Sequence, residues 1–273
     1  MQDLADRTVG VLLGLAAGDR IGGPVRMALR VAESLRDCGG VDVSDIGRRY
    51  LDWWFEGAFD TGPTVAAVLS LVASGVTFEQ ASIRVDEKAG GMTAGCNPAH
   101  RCAPMAMCAS LEDSGVDRAA VTEARLTHRH SLAGEVAAAV ACLCRALIRG
   151  TQWSVALSVA AEDRSPETRR ALEIRPPAGL SRSGFAPEVL GAAVHFVNAS
   201  DSLPTALARS IDFAGQANYC PVLVGSIAGA RWGRAQIEER FLHHQGDLVP
   251  RLTRVALSLA RGWQNAEVSP HDA

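Results

Sequence analysis

Ser131-Leu132-Ala133-Gly134-Glu135-Val136-Ala137-Ala138-Ala139-Val140-Ala141-Cys142-Leu143-Cys144-Arg145-Ala146-Leu147-Ile148-Arg149 is the stretch on which the reading of the fold turns. Leu132, Val136, Val140, Leu143 and Leu147 recur with the 3.6-residue period of an α-helix and line one stripe. Alanine, the strongest helix former, fills most of the rest. Ser131 stands where an N-cap is expected and Gly150 where the helix should stop. The same pattern spreads outward from this segment. It recurs at 64–74, before Gly75, and at 117–126 and 187–198. It recurs again at Leu203–Ala214, after the capping candidates Asp201 and Ser202, and at 247–262. Alternation of β-branched residues is nearly absent, so the chain is expected to be all-α. The breaks at 90–91, 97–98 and 176–184 are short. The last reads as a loop within one helical domain spanning 1–263, followed by a polar tail at 264–273.

Composition narrows the classes of function. Of 273 residues, 48% are hydrophobic and 21% charged, which suits a large core. The net charge of -3 leaves no electrostatic footprint for nucleic acid or anionic membrane. Charged residues cut the apolar runs short of a membrane span, and the N-terminal segment lacks the basic start of a signal peptide. The seven cysteines are odd in number and show neither C-x-x-C nor zinc spacing, so they are expected reduced in a cytoplasmic protein. The expected partner is a small molecule, not nucleic acid or membrane; the oligomeric state stays open.

Polar residues gather among small ones at five places. Asp19 ends the run Gly14-Leu15-Ala16-Ala17-Gly18-Asp19-Arg20-Ile21-Gly22, whose glycines let another helix approach closely. Cys96, Asn97, His100 and Arg101 lie in the loop from Gly91 into an apolar helix. Gln216, Asn218, Tyr219 and Cys220 precede Leu223-Val224-Gly225-Ser226-Ile227-Ala228-Gly229-Ala230, which is uncharged all round and so should be central. Its N-terminus would open into the middle of the protein. Glu56 and Asp60 flank a turn, and His128 and His130 precede the segment quoted first. Four of the five have a bland alternative: a solvated helix-end Asp19, a plain turn at 91–101, a capping Asp60, and surface or core-satisfied histidines.

Taken in order, these segments resemble the ADP-ribosylglycohydrolase family, from about Asp6 to Leu242. Residues 14–22 resemble its opening G-L-A-x-G-D-A-x-G, and Asp60-Thr61-Gly62-Pro63-Thr64 its D-x-G-x-T. Gly95 to Pro104 resembles G-N-G-x-x-M-R-x-x-P, and Leu126 to His130 resembles I-T-H-x-H. Ala228-Gly229-Ala230-Arg231-Trp232-Gly233 resembles the closing A-G-A-x-Y-G. The resemblance implies a single orthogonal helical bundle. It also implies two magnesium ions, held by a T-D-D-T segment and by the aspartates of a D-x-D-T. Here the D-x-D-T positions fall on Gln216, Ala217, Asn218 and Tyr219, and T-D-D-T has no counterpart. The family's glutamate after G-D falls on Arg26, and the asparagine of G-N-G on Cys96.

Magnesium prefers charged oxygen ligands, so no metal pair and no other cofactor is expected. A single weakly held magnesium at Asp19 or Asp60 is the remaining option. The leading expectation is a metal-independent hydrolase or lyase, of N-glycosidase type, for a small ribosyl- or nucleoside-type substrate. Asp60 or Glu56 would act as base, and His128 or His130 as acid. Cys96 or Cys220 is a candidate nucleophile with His100 or His128 as partner. Asp19, Cys96, Asn97, His100, Gln216, Asn218 and Tyr219 would contact substrate, while Arg26 and Arg101 would hold an anionic group. The alternative is a non-catalytic pseudoenzyme that binds a nucleotide or sugar. Magnesium-dependent ADP-ribosyl-protein hydrolysis follows from the resemblance alone, and the missing carboxylates argue against it.

Overall fold

Glycine, rather than a large apolar side chain, sets the closest packing in this protein. The computed structural model describes residues 4–264 except 175 and 177. In the first half, helices α1 (Leu4–Gly18), α2 (Gly23–Cys38), α3 (Val43–Phe55), α4 (Pro63–Ala73) and α5 (Phe78–Lys88) are followed by two short turns of helix, α6 (Asn97–Arg101) and α7 (Ala103–Met107). Then come α8 (Asp113–Ala124), α9 (Ser131–Ile148), α10 (Trp153–Ala161), α11 (Pro166–Leu172), α12 (Ala186–Asn198), α13 (Leu203–Ala214) and α14 (Cys220–Trp232). Helices α15 (Glu239–Leu242), α16 (Val249–Leu259) and α17 (Arg261–Gln264) complete the bundle. No strand occurs among the described residues; Gly95 and Phe185 form an isolated antiparallel bridge.

Helix α14 is buried from Cys220 to Ala230, as its lack of charge predicts, and α1, α9, α12 and α13 surround it. Its contact with α1 is the largest between any two helices. There the backbones themselves meet. A methyl group added to Gly14 would lie 2.1 Å from the Gly225 carbonyl oxygen, and one on Gly229 would lie 1.9 Å from that of Gly10. Gly18 meets the Pro221 carbonyl in the same way, at 2.0 Å. The close approach expected at Gly14 and Gly18 is therefore made with α14. Helix α9 is long and apolar enough to cross a bilayer, but 72% of it lies inside the bundle, packed on α6, α7, α8, α10 and α14.

Several expected boundaries move. Ser131 is the first helical residue of α9, and His130 is its N-cap, with Nδ1 accepting from the Leu132 N–H at 3.2 Å. Helix α8 starts at Asp113, four residues early, because Ser114-Gly115 continues the helix instead of breaking it. The segment 247–262 splits at Ala260 into α16 and α17. The expected tail, beyond Gln264, lies outside the described residues. The end of the 176–184 loop is stitched to the loop before α6. Cys96 N–H donates to Gly184 O and Ala186 N–H to Ala94 O, each at 2.9 Å.

Candidate active site

A cavity of about 560 Å3 opens where four of the five polar segments converge: the Asp60 turn, the 91–100 loop, the 128–130 segment and the 218–219 loop. Asp60, Cys96, Asn97, His100, His128, His130, Asn218 and Tyr219 all line it, and Met92 and Phe185 add partly exposed apolar walls. Pro24 and the first turn of α4 complete the lining. The structure leaves Asp19, Arg26, Glu56, Arg101, Gln216 and Cys220 out of it.

Asp60 and Asp19 are drawn together by one neutral side chain. Asn218 Nδ2 donates to Asp19 Oδ1 at 2.8 Å and to Asp60 Oδ2 at 3.1 Å, while its Oδ1 accepts from the Arg20 N–H at 3.1 Å. The opposite amide orientation would set an oxygen against two carboxylates and a donor against a donor, so the assignment is fixed by its surroundings. Asp19 is 1% exposed and is a structural clasp, not a substrate ligand. Its oxygens also accept from the N–H groups of Ile21, Gly22 and Val25, which secures the turn into α2. Asp60 is half-buried and sits at φ 51°. Its backbone carbonyl is reached closely by Gly23, where a Cβ would lie 2.3 Å from the oxygen. Burial raises the Asp60 pKa above the ordinary 3.8, and the charge of Asp19 adds to this; the Asn218 hydrogen bond opposes it.

The histidine wall rests on a buried ion pair that the sequence did not disclose. Arg101 Nε donates to Glu123 Oε1 at 2.7 Å with both side chains fully buried, and Tyr50 Oη donates to the same oxygen at 2.7 Å. The guanidinium also donates to Asn97 Oδ1 and, at 2.8 Å, to Thr127 Oγ1. Arg101 is thus a structural cation behind the lining, not an oxyanion holder in the cavity. Thr127 Oγ1 lies 2.8 Å from His128 Nδ1. This hydroxyl accepts from Arg101 and has its own proton to give to Nδ1, an arrangement that places the ring proton of His128 on Nε2. A Cβ at Gly95 would come within 3.3 Å of that Nε2, so a glycine keeps the donor accessible. Burial, with the nearby Arg101 charge, pushes the His128 pKa down to about 3. Burial likewise pushes His100 down to about 4, against a hydrogen bond to the Tyr219 backbone. Both rings are neutral at physiological pH. His100 Nε2 is buried and has no hydrogen-bond partner, a state that costs on the order of 1–3 kcal/mol.

The remaining expected residues are placed elsewhere. Glu56 is exposed and paired with Arg30, with Nη2 to Oε2 at 2.9 Å. Arg26 stacks on Phe59 and donates to Gly22 O and Gln245 Oε1. Gln216 is exposed and does not line the cavity. The thiols do not act as expected of cysteines at helix N-termini. Burial raises Cys96 to about 12 and, with Cys96 nearby, raises Cys220 further, which disfavours the thiolate at both. Glu123, Thr127 and Tyr50 went unnoticed because their partners lie 22 to 73 residues away.

Three comparisons bear on this site. A family model described as ADP-ribosylglycohydrolase matches residues 1–268. The chain is 23% identical to the ADP-ribosyl-[dinitrogen reductase] glycohydrolase of Rhodospirillum rubrum over 273 residues, covering 87% of this chain and 89% of that protein. A solved structure described as an ADP-ribosylglycohydrolase-related protein complex superposes with a TM-score of 0.77 at 25% identity, covering 96% of this chain and 99% of that one.

Proposed function

Because the chain belongs to the ADP-ribosylglycohydrolase family, we propose that it hydrolyses a ribosyl-type glycosidic bond with Asp60 as its base and without the family's magnesium pair. The observation that carries this is the Asn218 amide, which donates to both carboxylates at once. A cation bridging Asp19 and Asp60 would have to lie where an N–H already points. Asp19 is further committed to three backbone donors. No three His, Cys, Asp or Glu side chains form a metal-holding group among the described residues. The donor set therefore does not fit two magnesium ions.

The chemistry falls to the chain's own groups. Asp60 takes a proton from a water molecule as the water oxygen attacks the anomeric carbon. The electrons of the glycosidic bond leave with the aglycone, which takes up one proton from solvent, while Asp60 releases the proton it took from water to solvent and so regains its carboxylate. His128, with its proton on Nε2, donates a hydrogen bond to the departing atom; as a neutral ring it stabilises the leaving group without protonating it outright. His130 caps α9 through Nδ1 and so also turns Nε2–H outward. Phe185 and Tyr219 supply apolar faces against which a flat group can lie.

The test is Asp60→Asn, assayed on a panel of ribosyl compounds with and without chelator. Turnover should fall by about 10^3-fold with the fold intact, and chelator should leave the parent rate unchanged. Two tightly held magnesium ions per chain, or full activity in Asp60→Asn, would overturn the proposal. Binding across the panel without any turnover would instead point to the pseudoenzyme.

A further inference from the structure

The cavity holds one formally charged side chain, Asp60, and neither lysine nor arginine lines it among the described residues. The nearby arginines are engaged elsewhere. Arg101 lies behind the wall on Glu123, Asn97 and Thr127. Arg20 donates to the carbonyls of Gly215 and Ala217, and Arg26 to Gly22 and Gln245. The imidazoles of His100 and His128 are uncharged there. A phosphate or diphosphate placed in this cavity would face a carboxylate and neutral rings, with no cation to offset its charge. The backbone N–H groups in the first turn of α4 are neutral donors and supply no full counter-charge. Pro63 removes one of those donors, and Asp60 stands three residues before it.

His100 adds an independent observation. Its ring is 3% exposed, lines the cavity, and leaves Nε2 without a partner. Nε2 is the unpartnered nitrogen, so the ring's hydrogen bond to the Tyr219 backbone falls to Nδ1. An Nδ1–H donated there would leave Nε2 with a free lone pair. A buried acceptor kept idle in the free protein is satisfied when a donor arrives.

We propose that the cavity takes an uncharged, phosphate-free nucleoside-type compound, and that His100 Nε2 accepts a hydrogen bond from an N–H or O–H of that compound. This rests on the glycohydrolase reading of the same cavity, and it separates this chain from chemistry on charged ADP-ribosyl groups.

The experiment measures binding by calorimetry to the full chain carrying Asp60→Asn, so that turnover does not interfere. The probes are adenosine, inosine, guanosine, cytidine and uridine, each against its own 5′-monophosphate, together with ADP-ribose and inorganic phosphate. At least one nucleoside should bind tenfold or more tightly than its 5′-monophosphate. Adding His100→Met should weaken that nucleoside about tenfold, with His100→Gln in between. The ligand-free His100→Met protein should melt no lower than its parent, because an unsatisfied buried atom has gone; a purely structural histidine would give the opposite. Equal or tighter binding of a monophosphate, ADP-ribose or phosphate would overturn the proposal, as would no nucleoside binding or unchanged affinity in both His100 variants. Binding of nucleosides that the parent protein never hydrolyses would overturn the catalytic reading and leave this one standing. Hydrolysis confined to phosphorylated compounds would do the reverse.

Discussion

At the Asp60 wall of the cavity two carboxylates share one neutral amide, and one of them faces the ligand. At the His128 wall a complete ion pair, Arg101 with Glu123, lies behind the lining, and only an uncharged ring faces inward. The first wall exposes charge that lacks a counter-charge. The second hides charge that is fully matched. The contrast teaches that charge near a site can serve two separate ends: chemistry where it stays unbalanced and reachable, and rigidity where it is balanced and sealed off.

Breaking the sealed pair should have the largest effect. Glu123→Gln leaves the Arg101 guanidinium buried without its carboxylate, and stability should fall by about 3–5 kcal/mol, read by urea unfolding. Asp60→Asn at the other wall should leave stability unchanged or raise it by up to about 1 kcal/mol, since a repelled, half-buried carboxylate is removed. Equal losses at the two positions would end the comparison. Next in size is Asn218→Asp, which returns a carboxylate to the family's position. Three carboxylates then crowd together, and stability should drop by about 2 kcal/mol and recover when magnesium is added. No recovery would show that more than this one residue separates the chain from a metal site.

Acid sharpens the comparison further. The unfolded histidines titrate near 6.5, while folded His100 stays neutral to about 4 and His128 to about 3. Below pH 6.5 the unfolded chain takes up protons that the native one refuses. Stability should therefore fall as pH drops from 6.5 towards 4, by up to about 1.4 kcal/mol per pH unit for each ring. His128→Gln should remove one ring's share of that slope in a pH series of melting curves. The smallest effect is kinetic. The acid limb of kcat/KM should lie above the ordinary aspartate value, because the Asp60 pKa is raised, and Asn218→Ala should move it higher still by deleting an opposing hydrogen bond. A limb that ignores Asn218 would place the working base elsewhere.

Much of the fold was legible because it rests on local pattern. The stripe from Leu132 to Leu147 and the uncharged run after Tyr219 each identify a helix and its burial. The glycines at 14 and 18 announce a close approach, though not with which helix. Part of the cavity was legible too, since Asp60, Asn97, His100, His128, Asn218 and Tyr219 stand among small residues that break the apolar rhythm. What was hidden depends on distant pairing or on desolvation. Arg101 looks like an anion holder until Glu123 is found beside it. Cys96 and Cys220 look activated by helix ends until their burial is known. Glu56 shares the Asp60 turn but points to Arg30 and solvent.

The glycine seam between α1 and α14 also bears on how the chain reaches this structure. Gly10 and Gly229, and Gly14 and Gly225, must meet backbone to backbone, so the central contact joins segments more than two hundred residues apart. Closing so long a loop is slow. Until α14 emerges from the ribosome, α1 lacks its largest packing partner, and the Asn218 clasp that completes the cavity does not yet exist. The binding site should thus be among the last features to form during synthesis.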